Sequence, residues 1–506
     1  MYLLPLKDPL TTISSPMSNP SLKDYIFKDP NNRPYVWTAI IGIVLQLLFF
    51  KYLYPYASYI NGDSYAYMET AHMNLSINTY PVGYSMFIRL FSVFTHSDTA
   101  LVVFQYLMLQ ASILSLVFTL FYFYNPHRYT RIGLFGFMLF NPAFLYLANY
   151  VSSDTLFLSL SLTWFTILLW IIYRPSRKLM IYHAIVLFLA FTVRYNALYY
   201  PLIAGIAFLL SRQALLQKIL GLAICVILIG SFIQYNKHQY YELSKKSIFT
   251  PFTGWQMANN AMYAYKFVPK EQRKPVPKKY QVLDRMIREY FDSTVGNPRH
   301  PEENLVASTI YMWTPGAPLR TYMQNQFKKD STAPELKRWA SVSPLYEEYG
   351  KYIIKQYPLQ FAQFYLLPNA LKYYAPPIEF LEFYSTGQET VHPIAQTWFE
   401  YKSNKVETKF KDFKVDILNF YPILVGTMNV IFFLGMIGFL LLQGYKQQSL
   451  MGKGLLLVVC LWLTNFGFSV FASPIALRFQ LFPILVMTSF AFLFMEYLVK
   501  EATKKE

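Results

Sequence analysis

Cysteine is nearly missing from this chain of 506 residues. The only two, Cys225 and Cys460, lie inside apolar runs, which excludes a disulfide framework and a cysteine-based zinc site. Charge is also scarce, at 14% of residues against 54% apolar, and that balance excludes a soluble, disordered or coiled-coil chain. Acidic residues are the scarcer sign, 28 against 45 Lys plus Arg, giving a formal net charge of +17. In an apolar chain such an excess points to anionic lipid as partner, not to nucleic acid. No repeat of short period occurs. Walker, GxGxxG, GxSxG and HExxH motifs are missing as well, which leaves nucleotide-driven, dinucleotide and zinc-hydrolase chemistry without support.

What is present is a set of apolar runs. They fall at 36–53, 99–124, 130–148, 153–173, 181–193, 197–210, 216–235, 418–442, 454–472 and 478–498, and predict an all-α polytopic membrane protein of about ten spans. The two short runs within 181–210 are read as a pair of half-length helices. A further run, Pro81 to Phe94, is too short to cross and predicts an amphipathic interfacial helix in the first outer loop. Residues 1–35 read as a polar cytoplasmic tail, and 499–506 as a second one.

Basic residues orient the chain, because short cytoplasmic loops collect Lys and Arg. With the N-terminus inside, 16 basic residues fall on the inner side and only Lys51, Arg89, Arg194 and Arg478 on the other, leaving aside the segment 236–417. The expected organisation is therefore a transmembrane module 36–235 with a first outer loop 54–98, an outer-face domain 236–417, and a C-terminal module 418–498. The 182-residue outer segment carries helical spacing at 280–291 and 344–356 and an amphipathic, proline-broken stretch at 359–374. Low glycine with Lys- and Phe-rich usage fits an AT-rich bacterial genome, so the expected location is a bacterial inner membrane with both termini cytoplasmic.

On the outer side, outside the long segment, the carboxylates are Asp63, Glu69, Asp98 and Asp154. Asp63 stands in Asn61-Gly62-Asp63-Ser64-Tyr65, in a tyrosine-rich loop poor in basic partners. A turn residue would look the same, but such a loop favours a functional acid. Asp154 opens a span, where an acid also serves as an ordinary helix cap. Arg194 and Arg478 end spans on the same side. They either snorkel to the headgroups or form an anion clamp, since guanidinium binds phosphate in a bidentate and always-charged manner. Crowded tyrosines in the first loop, Tyr65 among them, belong mostly to an interfacial belt. His72, His96, His300 and His392 show no metal-ligand spacing.

In this order the features resemble the GT-C superfamily of integral membrane glycosyltransferases, which includes protein O-mannosyltransferases and lipid A aminoarabinose transferases. The likeness rests on Asp63 just after the first span, the run Pro81–Phe94, the stretch Arg194-Tyr195-Asn196-Ala197-Leu198-Tyr199-Tyr200-Pro201, and the late segment Leu477-Arg478-Phe479-Gln480-Leu481-Phe482-Pro483. The resemblance implies transfer of a sugar from a polyprenyl-phosphate donor at the outer face. It implies Asp63 as base, Arg194 and Arg478 as donor-phosphate ligands, and Asp154 as a second acid that orients the acceptor or shares a divalent cation (Mg or Mn) with Asp63. Glu69, Tyr65 and His72, in the same loop, complete the expected set as substrate-binding residues. The chain departs from the O-mannosyltransferases in following Asp63 with Ser64 rather than a second acid. The acceptor, whether glycan, lipid or protein, is therefore left open. The competing expectation is a transporter or lipid flippase, whose rare charges would also sit at bundle edges.

Overall fold

The computed structural model describes residues 20–294, 307–410, 412–472 and 474–504. Among them the secondary structure is helical apart from isolated bridges. Eight helices are long and apolar enough to cross a bilayer: Arg33–Leu53, Asp98–Tyr124, Arg128–Asn149, Ser153–Tyr173, Leu215–Ser244, Asp416–Leu441, Ser449–Ala472 and Leu477–Ala502. At about 1.5 Å per residue, a helix of some 20 residues covers the ~30 Å of a hydrocarbon core. The chain is thus an integral membrane protein by its helices. The other two expected runs fall on shorter elements, Arg177–Val193 and the apolar helix Tyr195–Leu210. Between them Arg194 takes an extended conformation; the second begins as a 3-10 turn, Tyr195–Tyr199, and Pro201 stands in the first turn of its α-helical part, Tyr200–Leu210. The run at 130–148 is also interrupted, by Asn141-Pro142 between Arg128–Leu139 and Ala143–Asn149.

Burial sorts the helices. The Ser153–Tyr173 helix is enclosed on most faces and packs on Asp98–Tyr124, Arg177–Val193 and Leu477–Ala502. Arg33–Leu53 and Leu215–Ser244 expose rows of Leu, Ile and Phe, as lipid-facing peripheral helices should. The run predicted as interfacial is the helix Gly83–Ser92, which buries Tyr84, Ser85 and Ile88 and exposes Leu90, with Val93 and Phe94 just beyond. It lies against Arg177–Val193 so closely that a Cβ on Gly83 would meet the Thr192 carbonyl carbon at 2.5 Å.

The long segment divides between two cores. Residues from Trp255 to Tyr365 build a separate core, dominated by Tyr, Trp and Phe. Its centre is the crossing of Phe252–Tyr265 with Glu335–Gln356, where Gly254 and Gly350 allow backbone-to-backbone approach. Residues 378–418 instead return to pack with the first loop and the spans. The connection between the two is Pro358–Tyr374, which stays helical past Pro368 by means of a π turn at Ala362–Leu366.

Candidate functional site

The first outer loop is pinned before it turns into a helix. Ser58 N–H donates to the Asn149 carbonyl at 2.8 Å and Val151 N–H donates to the Ser58 carbonyl at 3.0 Å, so the loop pairs with the segment leading into Ser153–Tyr173. Asp98 accepts the Ala57 N–H at 2.7 Å, and the Asn149 amide donates to the Tyr56 carbonyl at 3.2 Å. Gly62, at φ +90°, then reverses the chain, and Asp63 occupies the first turn of the helix Asp63–His72. Tyr67, one helical turn on, shares the Asp63 side and hydrogen-bonds Ser153 Oγ at 3.0 Å.

Asp154 is the second residue of its helix and is buried. Ser152 Oγ donates to its Oδ2 at 2.9 Å, and the Gln105 amide donates to the Ala148 and Tyr150 carbonyls just upstream. Its place in the first turn puts the Asp154 charge at the favourable end of the helix dipole.

Both arginines converge on it. Arg194, at the break between helices, bonds Asp154 Oδ1, while Arg478 Nη1 donates to Asp154 Oδ2 at 3.0 Å. Arg478 Nη2 donates to Asp63 Oδ2, also at 3.0 Å. Four residues from four segments thus form one chain of ion pairs, in the order Asp63, Arg478, Asp154, Arg194. Rings cover the guanidinium groups. Arg478 lies 4.5 Å from the Phe380 ring centre and 4.3 Å from that of Phe479, and Arg194 lies 4.4 Å from Phe479 and 5.7 Å from Phe157.

Three of the four residues sit in the first turn of a helix: Asp63, Asp154 and Arg478. Three positive dipole ends therefore meet here, and for Arg478 that is the disfavoured end for a cation. The acids compensate it. The four charges sum to zero, and the three helix-start dipoles add a positive potential to the site. Arg478 Nε, buried, has no hydrogen-bond partner among the described residues. Asp63 and Arg194 are the more accessible members, with 24% and 18% of their side chains exposed, against 1% for Asp154 and 5% for Arg478. Nearby, burial first and then the Asp63 charge push the Tyr80 phenol well above its ordinary range.

The divalent-cation expectation fares differently. Among the described residues no group of three or more His, Cys, Asp or Glu is placed to hold a metal ion. Between Asp63 and Asp154 the bridging position belongs to the Arg478 guanidinium, and a donor set shared with two arginines does not suit a metal.

The other expected site residues lie elsewhere. Tyr65, Glu69 and His72 repeat at helical spacing on a different side of Asp63–His72, since two positions advance a helix by about 200°. Tyr65 stacks on Tyr59 at 5.7 Å and approaches His392 at 5.2 Å; His72 approaches Trp398 at 6.5 Å; Glu69 is exposed. The structure brings together Asp63, Asp154, Arg194 and Arg478 and leaves these three outside that cluster. Sequence reading missed Phe157, Phe380, Phe479 and Tyr67. Phe479 directly follows Arg478 and Tyr67 follows Asp63 by one turn, so both were within reach of a helical-phase argument. Phe380 carried no signal, being one of 44 phenylalanines. The chain matches no known protein family, no curated protein and no solved structure.

Proposed function

We propose that the chain is a membrane glycosyltransferase of the GT-C type, moving a sugar from a polyprenyl-phosphate donor to an acceptor hydroxyl at the outer membrane face. The observation that carries the reading is the linked cluster itself. Two acids and two arginines, drawn from positions 63 to 478, meet at three helix starts and one helix break on a chain otherwise poor in charge. Ten spans with both termini cytoplasmic, in a bacterial inner membrane, put the cluster on the periplasmic side.

The chemistry follows from the pairings. An incoming phosphate competes with carboxylates for guanidinium, and it takes up the unused Arg478 Nε along with Nη contacts. Asp63, the more exposed acid, is then released from Arg478 and can accept a proton. The acceptor O–H gives that proton to Asp63 as its oxygen bonds to the anomeric carbon. The bond between that carbon and the phosphate oxygen breaks, and the electron pair leaves with the polyprenyl phosphate. Displacement from the opposite side inverts the anomeric centre. Arg478 and Arg194 stabilise the charge gathering on the leaving phosphate, and Asp154, held between them, fixes their spacing. In the resting state the Asp63–Arg478 pair holds the base idle until an anion arrives.

The test uses purified protein in detergent with labelled polyprenyl-phosphate sugars and a cell-envelope acceptor extract. Label should pass to acceptor, and Asp63→Asn should abolish transfer while the protein remains folded. Equal transfer by Asp63→Asn would reject the base. Movement of intact labelled donor across reconstituted vesicles, with no new glycosidic bond, would favour the flippase instead.

A further inference from the structure

The segment Pro376-Pro377-Ile378-Glu379-Phe380-Leu381-Glu382-Phe383-Tyr384 crosses beside the cluster and touches the approach to three of its members. Pro377 offers its carbonyl to the Leu477 N–H at 2.7 Å, capping the helix that bears Arg478. Tyr384 O–H donates to the Tyr56 carbonyl at 2.9 Å, on the way to Asp63, and Tyr150 O–H donates to the Phe383 carbonyl at 2.7 Å, on the way to Asp154. The far end is held by Val415 N–H on the Glu382 carbonyl at 2.8 Å and Tyr384 N–H on the Phe413 carbonyl at 2.7 Å. Between these fixed points Phe380 stands at φ +69° and lays its ring on Arg478. A bulky residue in left-handed backbone is disfavoured, and it persists only where its surroundings over-determine it. Here they do, and the strained residue is the one covering the guanidinium.

Stacking on two rings fixes the plane of a guanidinium and leaves its N–H groups to point outward in that plane. With Phe479 on its own helix and Phe380 brought by the strap, Arg478 is oriented from two independent elements. We infer that Phe380 is a positioning residue: its ring holds the Arg478 guanidinium in the plane that bridges Asp63 and Asp154 and receives the donor phosphate. This rests on the anion-clamp reading of Arg478 given above. It adds that the strap 376–384, which belongs to neither Arg478's helix nor the first loop, sets the clamp's geometry.

The experiment compares detergent-purified wild type, Phe380→Leu and Phe380→Tyr in binding a short-chain polyprenyl phosphate and the matching polyprenol. Leucine keeps the apolar bulk and the backbone restriction but removes the π face, and tyrosine restores it. Phe380→Leu should weaken the phosphate lipid about tenfold and leave the polyprenol unchanged, with Phe380→Tyr close to wild type. Unchanged phosphate affinity in Phe380→Leu, with wild type preferring the phosphate, would overturn the role of Phe380 and leave the clamp standing. Loss of both lipids in parallel would reduce Phe380 to general packing and equally overturn it. A wild type that does not distinguish phosphate from alcohol would remove the clamp, and this inference with it.

Discussion

The two inner members of the cluster, Arg478 and Asp154, each pair with two partners, which makes their deletion more damaging than the loss of a single pair. Removing Asp154 would strand Arg194 and leave Arg478 with Asp63 alone, and an uncompensated buried charge costs several times what an exposed pair contributes. Glu379, the neighbour of Phe380, is the opposite case. Burial raises its carboxyl above the ordinary 4.5, against the opposing pull of Lys372 and Arg478. A carboxyl with a raised folded pKa favours the folded state most when protonated. Its penalty therefore appears as pH climbs past 4.5 and grows until the folded group has ionised. Glu379→Gln should unfold at the same temperature as wild type near pH 4 and at a higher one near pH 8. Thermal unfolding in detergent across that range checks it, and a pH-independent offset would contradict the assignment.

At the scale of elements, the spans were legible because hydropathy and loop charge act over whole windows of residues. The break at Arg194 agrees with the split read within 181–210, whereas the interruption at Asn141-Pro142 falls inside a run read as one span. The rare outer charges Asp63, Asp154, Arg194 and Arg478 were legible as exceptions to that pattern. Which of them pair was not legible, since pairing depends on long-range packing that no local window contains. The trio Tyr65, Glu69 and His72 shows a different limit: sharing a loop with Asp63 does not give its neighbours, because helical phase turns that side toward His392 and Trp398. Phase also governs the crossing in the second core. A Cβ at Gly254 would fall 2.0 Å from the Ser343 carbonyl oxygen, so Gly254→Ala must push the two helices apart. A loss of about 1–3 kcal/mol is expected, read as a lowered unfolding temperature. Gly467, in the helix Ser449–Ala472, has no atom within 4 Å of its would-be Cβ, and Gly467→Ala should be neutral or mildly stabilising.

For the whole molecule, a second core inserted between Leu215–Ser244 and the connection Pro358–Tyr374 predicts a polar body on one side of a membrane-embedded bundle. Its sidedness is directly measurable, because the native cysteines are poorly placed to interfere: Cys225 is buried and Cys460 half-buried. Lys329→Cys, exposed in the second-core region, should react with a membrane-impermeant maleimide in intact cells. Lys178→Cys, exposed in the first turn of Arg177–Val193, should react only after permeabilisation. The reverse pattern would invert the topology and move the acid–guanidinium cluster to the cytoplasmic leaflet.

The span of chain between Asp63 and Arg478 has a consequence for biogenesis. As the protein emerges from the ribosome, the first acid, the second acid and Arg194 enter the bilayer long before their shared counter-charge is synthesised. Until Leu477–Ala502 docks, Asp154 has one guanidinium instead of two and Asp63 lacks its ion-pair partner. The cluster is therefore completed only when the last helix packs. A nascent chain stalled or cut before that helix carries an unfinished polar seam, the kind of defect by which membrane quality control distinguishes an incomplete polypeptide from a mature one.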